Sequence, residues 1–374
     1  MRVQIVDPPA YTPPYDHALS AALARRGVEV ELVTGRFGYG PTPAAQGYRV
    51  TQAFYRQATR SGVPSRMRPV LRLLEHGPDM LRYRRRARHA DLVHYQWLPV
   101  PPLDVRLLPP ARPRVFTAHD VVPREPRPGQ VAGLRRLLDK MNAVVVHSEQ
   151  GAARLRDELG ADPERIRVIP HGAFDYLTQV VGEPLPEALQ VVSKPVILFF
   201  GLLRPYKGVD VLLEAFQAVE GAELWIVGMS RGVPLEPLHD LAARAPGTVR
   251  FVPRFVSDVE IPAYFRRADL VVLPYREIDQ SGVLYTALAF GKPMVLSAVG
   301  GFPEVAEQHG IGRLVPPGDA GALAGALTEL LGDERARATL AAAALRAAEG
   351  PFSWDAVASQ TVSLYEELVR RAGR

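Results

Sequence analysis

The residues best suited to chemistry lie directly after a short apolar run at 196–200. They form the segment Gly201-Leu-Leu-Arg204-Pro-Tyr-Lys207-Gly208. Gly201 allows the backbone to turn at the end of the predicted strand, and Arg204 and Lys207 place two cations where the next helix should begin. The N–H groups and dipole of a helix N-terminus already favour anions. With two added cations, this segment is a predicted binding site for a diphosphate.

A second polar segment, at 274–293, follows a later apolar run. It contains Glu277 and Asp279, then Ser281 and Gly282 at the predicted start of a helix. Small residues at a helix start leave backbone amides open to a phosphate. Carboxylates beside a cationic segment suit the hydroxyl groups of a sugar or ribose, so we expect Glu277 and Asp279 to hold them. The alternative is that both carboxylates only cap and solvate the loop.

Histidines form a third group of candidates. His119 follows the predicted strand 114–117, at the carboxyl end where open parallel sheets bind ligands. For His171, packing at an interdomain hinge and contact with a ligand both stay open. The histidines and carboxylates show no metal-ligand spacing, and without cysteine there are no disulfides or thiolate metal sites. Because Arg204 and Lys207 can neutralise a diphosphate, we expect neither a metal nor another cofactor.

Two series of alternating strands and helices position these residues. The predicted strands of the first series lie at 3–6, 28–33, 91–95, 114–117, 143–146 and 166–169. Runs this short and apolar fit strands buried on both faces, which means a parallel sheet covered by helices on each side. One helix is predicted from an N-cap at Asp16 to Arg26, and another from Ser148 to near Gly160.

The second series begins after residues 175–194, which lack periodicity and indicate a linker. Its predicted strands lie at 196–201, 224–228, 249–252, 270–274 and 294–297, and its last helices in the alanine-rich stretch 319–348. A final helix at 354–371 follows the break at Gly350-Pro351. The fold class is therefore α/β, with two doubly wound domains.

Composition supports a folded chain of more than one domain. At 374 residues the chain exceeds one typical domain, and 47% hydrophobic with 23% charged residues is the balance of a globular protein. No window approaches the roughly 20 apolar residues of a membrane span, and the N-terminus lacks the apolar core of a signal peptide. We expect a cytoplasmic protein.

An arginine-rich stretch covers residues 56–88, with ten arginines against Glu75 and Asp79. Its candidate apolar side consists of Leu71, Leu73, Leu74, Met80, Leu81 and Tyr83. Such a surface would attract anionic lipid headgroups, which suggests peripheral contact with the inner face of the cell membrane. The alternative is a solvated helical face. We expect no nucleic-acid partner, because no aromatic platform or recognition motif accompanies the charge.

Several motifs together resemble the retaining family-4 glycosyltransferases of the GT-B fold, over nearly the whole chain. Besides the segment at 201–208, they are Val168-Ile-Pro-His-Gly172, Gly300-Gly301-Phe-Pro-Glu304, Leu314-Val-Pro-Pro-Gly318 and Phe352-Ser353-Trp354. The resemblance implies two Rossmann-like domains facing each other across a cleft. Residues 1–175 would form the acceptor-side domain, completed by a crossover helix at 352–374. Residues 190–350 would bind a nucleoside-diphosphate sugar.

The resemblance also implies an activity: transfer of a sugar to an acceptor hydroxyl with retention, in the synthesis of a glycan, glycolipid or glycoconjugate. The acceptor would be a small molecule or lipid-linked. Arg204 and Lys207 match the cations that neutralise the leaving diphosphate, and Gly201 opens that loop. Ser281, Gly282 and Val283 match the helix start whose amides reach the same phosphate.

The resemblance further implies that His119 contacts the donor sugar. We therefore expect His119, Arg204, Lys207 and Glu277 to be the catalytic residues. The expected donor-binding residues are Gly201, Asp279, Ser281, Gly282, Val283 and Thr286.

The sequence departs from the family where relatives carry two glutamates eight positions apart. Thr286 stands at the second position and Ile278 at the first, with Glu277 and Asp279 on either side. Either carboxylate could replace the first glutamate, and resemblance favours Glu277. Thr286 can still bond a ribose hydroxyl, although it cannot accept two hydrogen bonds as a carboxylate does. The departure puts nucleotide preference in question more than the reaction.

Two other classes of function stay open from the sequence. One is another enzyme on the same fold, a sugar-nucleotide epimerase or a phosphorylase. The other is a non-catalytic sugar-binding subunit, which the threonine at 286 would suit, whereas the retained Arg204 and Lys207 argue against it.

Overall fold

The chain folds into two α/β units. The computed structural model describes residues 1–110, 113–123, 126 and 128–373. The first unit comprises Met1–Gly172 and Trp354–Arg374, and the second comprises Ala173–Ser353.

The first unit contains a parallel sheet of seven strands in the order β3-β2-β1-β4-β5-β6-β7. The strands are β1 (Arg2–Asp7), β2 (Glu29–Gly35), β3 (Arg49–Phe54), β4 (Leu92–Tyr95), β5 (Arg114–Thr117), β6 (Ala143–Val146) and β7 (Ile166–Val168). The six predicted strands are confirmed. β3 was missed because it is an edge strand with a partly exposed, polar sequence, unlike the apolar runs of the central strands.

Helices connect these strands and cover the sheet. They are α1 (Pro13–Arg25), α2 (Arg68–Arg86), α3 (Pro101–Leu107), α4 (Gln130–Leu138) and α5 (Glu149–Leu159). α5 begins as predicted, because the Ser148 hydroxyl accepts a hydrogen bond from the Gly151 N–H.

The predicted start of α1 is wrong. Thr12 is the N-cap, and two prolines fill the first turn, where no N–H is needed. Asp16 is instead buried inside the first turn.

The second unit contains a parallel sheet of six strands in the order β10-β9-β8-β11-β12-β13. Its strands are β8 (Val196–Phe200), β9 (Glu223–Val227), β10 (Thr248–Val252), β11 (Leu270–Leu273), β12 (Met294–Ser297) and β13 (Gly312–Val315). Its helices are α6 (Tyr176–Gln179), α7 (Glu187–Gln190), α8 (Val209–Phe216), α9 (Glu236–Ala242), α10 (Ile261–Arg267), α11 (Gly282–Ala289), α12 (Phe302–His309), α13 (Ala320–Gly332) and α14 (Glu334–Glu349). The five predicted strands are confirmed.

The last helix, α15 (Trp354–Ala372), belongs to the first unit. The indole of its first residue packs directly on the backbone of Gly172, where a Cβ would lie 2.4 Å from the ring. Among the described residues, no helix is both long and apolar enough to cross a membrane. In each sheet the carboxyl ends of the parallel strands lie on the same side, and the loops that follow these ends carry the candidate site residues.

Candidate functional site

The turn after β8 brings Gly201, Lys207 and Val283 together. Gly201 has a φ of +112°, and a Cβ at this position would lie 3.1 Å from Lys207 Nζ and 3.3 Å from Val283 Cγ2. The ammonium group therefore lies over the glycine, beside the first turn of α11. A side chain at 201 would be strained by the backbone conformation and would crowd the cation.

Lys207 is held in this position by burial and by an aromatic ring. It ends a 3-10 turn at Pro205–Lys207 and is only 8% exposed. Its Nζ lies 4.8 Å from the centre of the Tyr275 ring, a cation–π distance. The Tyr275 hydroxyl lies 3.3 Å from Ser281 Oγ. One contact chain thus joins the loop after β8 to the residue that precedes α11.

Arg204 stands at the start of the same 3-10 turn and is half-buried. The turn is fixed from both sides, because the Leu203 N–H bonds to the Met229 carbonyl at 3.0 Å and the Leu203 carbonyl accepts from the Arg231 N–H at 2.9 Å. Arg204 therefore lies in a loop that backbone hydrogen bonds fix beyond the carboxyl ends of the strands.

A third basic residue, Arg276, which the sequence reasoning missed, fixes the neighbouring loop. Arg276 donates to both carboxylate oxygens of Asp210, at 2.8 and 2.7 Å, and to the Pro205 carbonyl at 3.0 Å. Burial raises the pKa of Asp210, but the Arg276 hydrogen bonds and charge outweigh it and hold the pKa below its ordinary value. Arg276 is thus paired with Asp210, and this ion pair connects the loop after β11 to α8.

The first turn of α11 lies beside Lys207, and the first N–H groups of a helix lack an acceptor one turn back. In α11 the Leu284 N–H donates to the Ser281 carbonyl at 3.0 Å. At its N-terminus, a Cβ on Gly282 would lie 3.2 Å from the ring of Phe174. The Thr286 hydroxyl donates to the Gly282 carbonyl at 3.0 Å. Its proton is therefore engaged in the helix, while its oxygen can still accept a hydrogen bond.

The two candidate carboxylates lie in different environments. Asp279 is buried, at 4% exposure, whereas Glu277 is exposed. The loop between them is held by the Gly300 turn, where a Cβ would lie 2.0 Å from the Ile278 carbonyl oxygen, and by the Gly301 N–H, which donates to the Asp279 carbonyl at 3.2 Å. The two side chains therefore do not share one face.

In the first unit, His119 lies just beyond β5 among aromatic rings. Its ring stacks on Trp97, with centres 5.2 Å apart, and meets Tyr15 edge-on at 4.7 Å. His119 Nε2 lies 2.9 Å from Gln96 Oε1. Burial, together with the neighbouring imidazoles of His147 and His171, lowers the pKa of His119 well below its ordinary value. The imidazole is therefore neutral at pH 7.

His119 is part of a row that the sequence analysis did not identify. One histidine lies at or just beyond the end of each of four neighbouring strands, β4 to β7: His94, His119, His147 and His171. His147 Nδ1 donates to the Ile169 carbonyl at 2.9 Å, and burial lowers its pKa to about 4. The signal was visible as a histidine after each predicted strand, but only the fold shows that these strands are neighbours.

Two buried carboxyl groups lie at the end of β1 and in the first turn of α1. Asp7 accepts hydrogen bonds from the N–H groups of Tyr11 and Thr12, at 2.7 and 3.3 Å. Burial raises the pKa of Asp7 to about 6. Burial and the charge of Asp7 raise the pKa of Asp16 well above its ordinary value.

The arginine-rich stretch at 56–88 contains the whole of α2, and one face of this helix is apolar and exposed. Its exposed apolar side chains are Met67, Val70, Leu73, Leu74 and Leu81. Their spacing of three, four and seven residues puts them along one side. Arg85 is exposed and Arg84 half-buried, but Arg86 pairs with Glu31 and bonds to Thr51. Two of these three consecutive arginines are thus available at the surface.

Comparisons with known proteins agree with this architecture. Residues 15–173 match the family model described as Glycosyltransferase Family 4, and residues 194–333 match Glycosyl transferases group 1. The D-inositol 3-phosphate glycosyltransferase of Xylanimonas cellulosilytica is 31% identical, over 94% of this chain and 90% of the relative.

Solved structures show the same fold. The sucrose-phosphate synthase of Thermosynechococcus elongatus has a TM-score of 0.75 at 21% identity, covering 99% of this chain and 100% of that one. The Anabaena protein HepE in complex with UDP-glucose has a TM-score of 0.75 at 20% identity, covering 98% of this chain and 100% of that one.

Two Rossmann-like units with these likenesses define a glycosyltransferase of the GT-B fold, an enzyme that transfers a sugar from a nucleotide sugar. The chain belongs to the retaining family-4 glycosyltransferases.

Proposed function

We propose that the carboxyl edge of the second sheet binds the diphosphate of the sugar donor, and that Arg204 and Lys207 neutralise it as it leaves. The observation that carries the proposal is the close approach of both Lys207 Nζ and Val283, in the first turn of α11, to Gly201. A buried ammonium beside the N-terminus of a helix forms a preorganised site for an anion.

The chemical role of this site is electrostatic. Negative charge grows on the diphosphate as the bond to the sugar breaks, and fixed cations and N–H groups stabilise it without reorganising. Arg204 offers a planar guanidinium that can bond two phosphate oxygens, whereas Lys207 acts as a point charge. We propose that these groups replace a divalent metal, so that transfer needs no added ion.

We assign the two carboxylates by their burial. Asp279 is buried beside the Gly300 turn, so its position is fixed, whereas Glu277 is exposed and therefore accessible to a ligand. Resemblance favours Glu277 as the partner of the donor sugar's hydroxyl groups, with Asp279 supporting the loop. Ser281, Gly282 and Val283 would contribute amides, and the oxygen of Thr286 would accept from a ribose hydroxyl.

For His119 we propose the role that the resemblance implies, contact with the reacting sugar. A neutral imidazole fits this role because it adds no charge to the sugar that becomes positive in the transition state. We further propose attack on the face from which the diphosphate leaves, with a phosphate oxygen taking the acceptor's proton.

The acceptor is proposed to be a hydroxyl group on a small molecule or on a lipid-linked glycan. The Xylanimonas relative is described as acting on D-inositol 3-phosphate, and HepE binds UDP-glucose. These names support a polyol or sugar phosphate and a UDP-sugar as the first acceptor and donor to test here.

We also propose that α2 places the enzyme peripherally on the cytoplasmic face of an anionic membrane. Leu73 and Leu74 are 61% and 67% exposed on the apolar side of the helix, and Arg84 and Arg85 lie near its end. Exposed apolar side chains flanked by arginine are the composition of helices that lie in the headgroup region of a bilayer. The alternative is a solvated helical face.

A thermal-shift screen of UDP-, GDP- and ADP-sugars tests the donor proposal, since a ligand that binds the folded protein raises its unfolding temperature. We expect at least one sugar nucleotide to do so, and Arg204→Ala to reduce that shift. If no sugar nucleotide raises the unfolding temperature, the donor proposal is wrong.

Sedimentation with vesicles tests the membrane proposal. The wild type should bind phosphatidylglycerol vesicles at low salt and phosphatidylcholine vesicles weakly. Arg84→Gln with Arg85→Gln should weaken binding by about 1 kcal/mol per residue, and Leu73→Ser with Leu74→Ser should weaken it further. The control is Val181→Ser with Val191→Ser, two exposed apolar residues in the second unit. Equally weak binding to both lipids at low salt would leave only the solvated-face interpretation.

A further inference from the structure

A cavity of about 370 Å³ opens at the carboxyl ends of β2 and β3. Its lining residues are Arg36, Gln52, Phe54, Arg56, Thr59 and Arg60. Phe54 is buried and forms the floor, while the three arginines are exposed at the rim. The lining contains three guanidinium groups and no carboxylate.

The neighbours of these arginines orient them without cancelling their charge. Arg56 donates through Nε and Nη2 to the Gln52 carbonyl, at 3.1 and 3.0 Å, and Arg60 Nη1 lies 3.4 Å from Gln57 Oε1. Both partners are neutral. Among the described residues, Arg36, Arg56 and Arg60 form no ion pair. The cavity therefore keeps its positive charge and suits a compact anion.

The loop that carries Arg56 and Arg60 is built in a strained but well-supported conformation. Tyr55 has a φ of +54°, which is uncommon for a tyrosine, and its N–H donates to Asp79 at 2.8 Å. Glu75 accepts from the N–H groups of Gln57 and Ala58, at 2.8 and 2.9 Å. Two carboxylates of α2 thus fix the turn. Strain that persists because its surroundings support it is typical of ligand-binding loops.

The cavity also lies at the carboxyl ends of the strands, where open parallel sheets bind their ligands. A Cβ on Gly35, at the end of β2, would lie 2.5 Å from the Pro8 carbonyl oxygen, so the cavity adjoins the loop after β1. Both loops belong to the unit that the family resemblance assigns to the acceptor.

We propose that this cavity binds a phosphate monoester or phosphodiester carried by the acceptor. The proposal rests on the proposed function, since it specifies the class of acceptor. Arginine side chains would bond the phosphate oxygens in pairs, and the rest of the acceptor would extend along the sheet edge. The same chemistry could come from a soluble phosphorylated acceptor or from a phospholipid headgroup.

Protection of arginine from phenylglyoxal, mapped by mass spectrometry, tests the proposal. Inorganic phosphate is the probe, chloride at equal ionic strength is the control, and UDP saturates the donor site throughout. We expect phosphate to protect Arg36, Arg56 and Arg60 but not Arg49, which is exposed at the opposite end of β3. Arg36→Gln with Arg60→Gln should raise the phosphate dissociation constant, measured by calorimetry, about tenfold or more, whereas Arg49→Gln should leave it unchanged.

Vesicles of phosphatidylglycerol, with phosphatidylcholine as control, distinguish the two sources. Protection by inorganic phosphate supports a site open to a soluble acceptor, and protection by phosphatidylglycerol alone supports a headgroup. If neither protects the three arginines beyond Arg49, the proposal is wrong. UDP should still raise the unfolding temperature of Arg36→Gln with Arg60→Gln. Loss of that shift would point to the donor site and so separates the two proposals.

Discussion

Removing the ammonium group of Lys207 should greatly lower the catalytic rate and leave the fold intact. In Lys207→Met the apolar stem still fills the buried space beside Tyr275, and only the charge is lost. One transition-state contact of this kind is worth about 3 kcal/mol, which corresponds to about a hundredfold in rate. Loss of the cation–π contact, partly offset by removing a buried charge, should change the free energy of unfolding by no more than about 1 kcal/mol.

The assay compares the rate of sugar-nucleotide cleavage with urea unfolding. Lys194→Met is the matched control, because Lys194 is exposed just before the amino end of β8, whereas Lys207 lies beyond its carboxyl end. We expect normal cleavage in the control and a loss of about a hundredfold in Lys207→Met, at similar stability. Near wild-type cleavage by a well-folded Lys207→Met would refute the electrostatic reasoning.

Three further predictions follow from the other residues of the site. The raised pKa values of Asp7 and Asp16 mean that the folded state binds more protons than the unfolded state. Their stabilising contribution is therefore present below about pH 4 and is lost as the pH rises through the folded-state pKa values, about 6 for Asp7. Asp16→Asn should flatten this decline in urea unfolding, and an unchanged slope would argue against a coupled pair. Transfer should survive EDTA, and activity lost to EDTA and restored by magnesium or manganese would contradict the proposed role of Arg204 and Lys207. Glu277→Gln should lower catalysis and blur the choice between donor sugars that differ at one hydroxyl, with little effect on binding of UDP; if Asp279→Asn does this and Glu277→Gln does not, the two roles are exchanged.

Much of the fold could be predicted because the strands of both sheets are apolar and short. Runs such as 143–146 and 196–200 have no polar face, so burial on both sides was the natural interpretation. β3 was not predicted, because an edge strand packs against fewer neighbours and tolerates polar residues. The start of α1 was misplaced because aspartate is a common N-cap, whereas Asp16 here is buried near another carboxyl group.

The candidate site was predictable as a set of residues but not as a geometry. The cations at 204 and 207 follow a strand, and this order alone indicates an anion site. The sequence carries no signal that Arg276 would pair with Asp210, or that Glu277 and Asp279 would differ in exposure, since both depend on how two loops meet. The grouping of Arg36 with Arg56 and Arg60 likewise depends on the pairing of β2 with β3.

The most direct test of the central claim follows the anomeric carbon of the donor. The wild type is incubated with the sugar nucleotide that the thermal-shift screen identifies, labelled with ¹³C at the anomeric carbon, and an acceptor, and the products are followed by NMR. We expect release of the nucleoside diphosphate and a new glycosidic bond with the donor's anomeric configuration. Release of a nucleoside monophosphate, an inverted product, or an epimerised donor with no transfer would contradict the account.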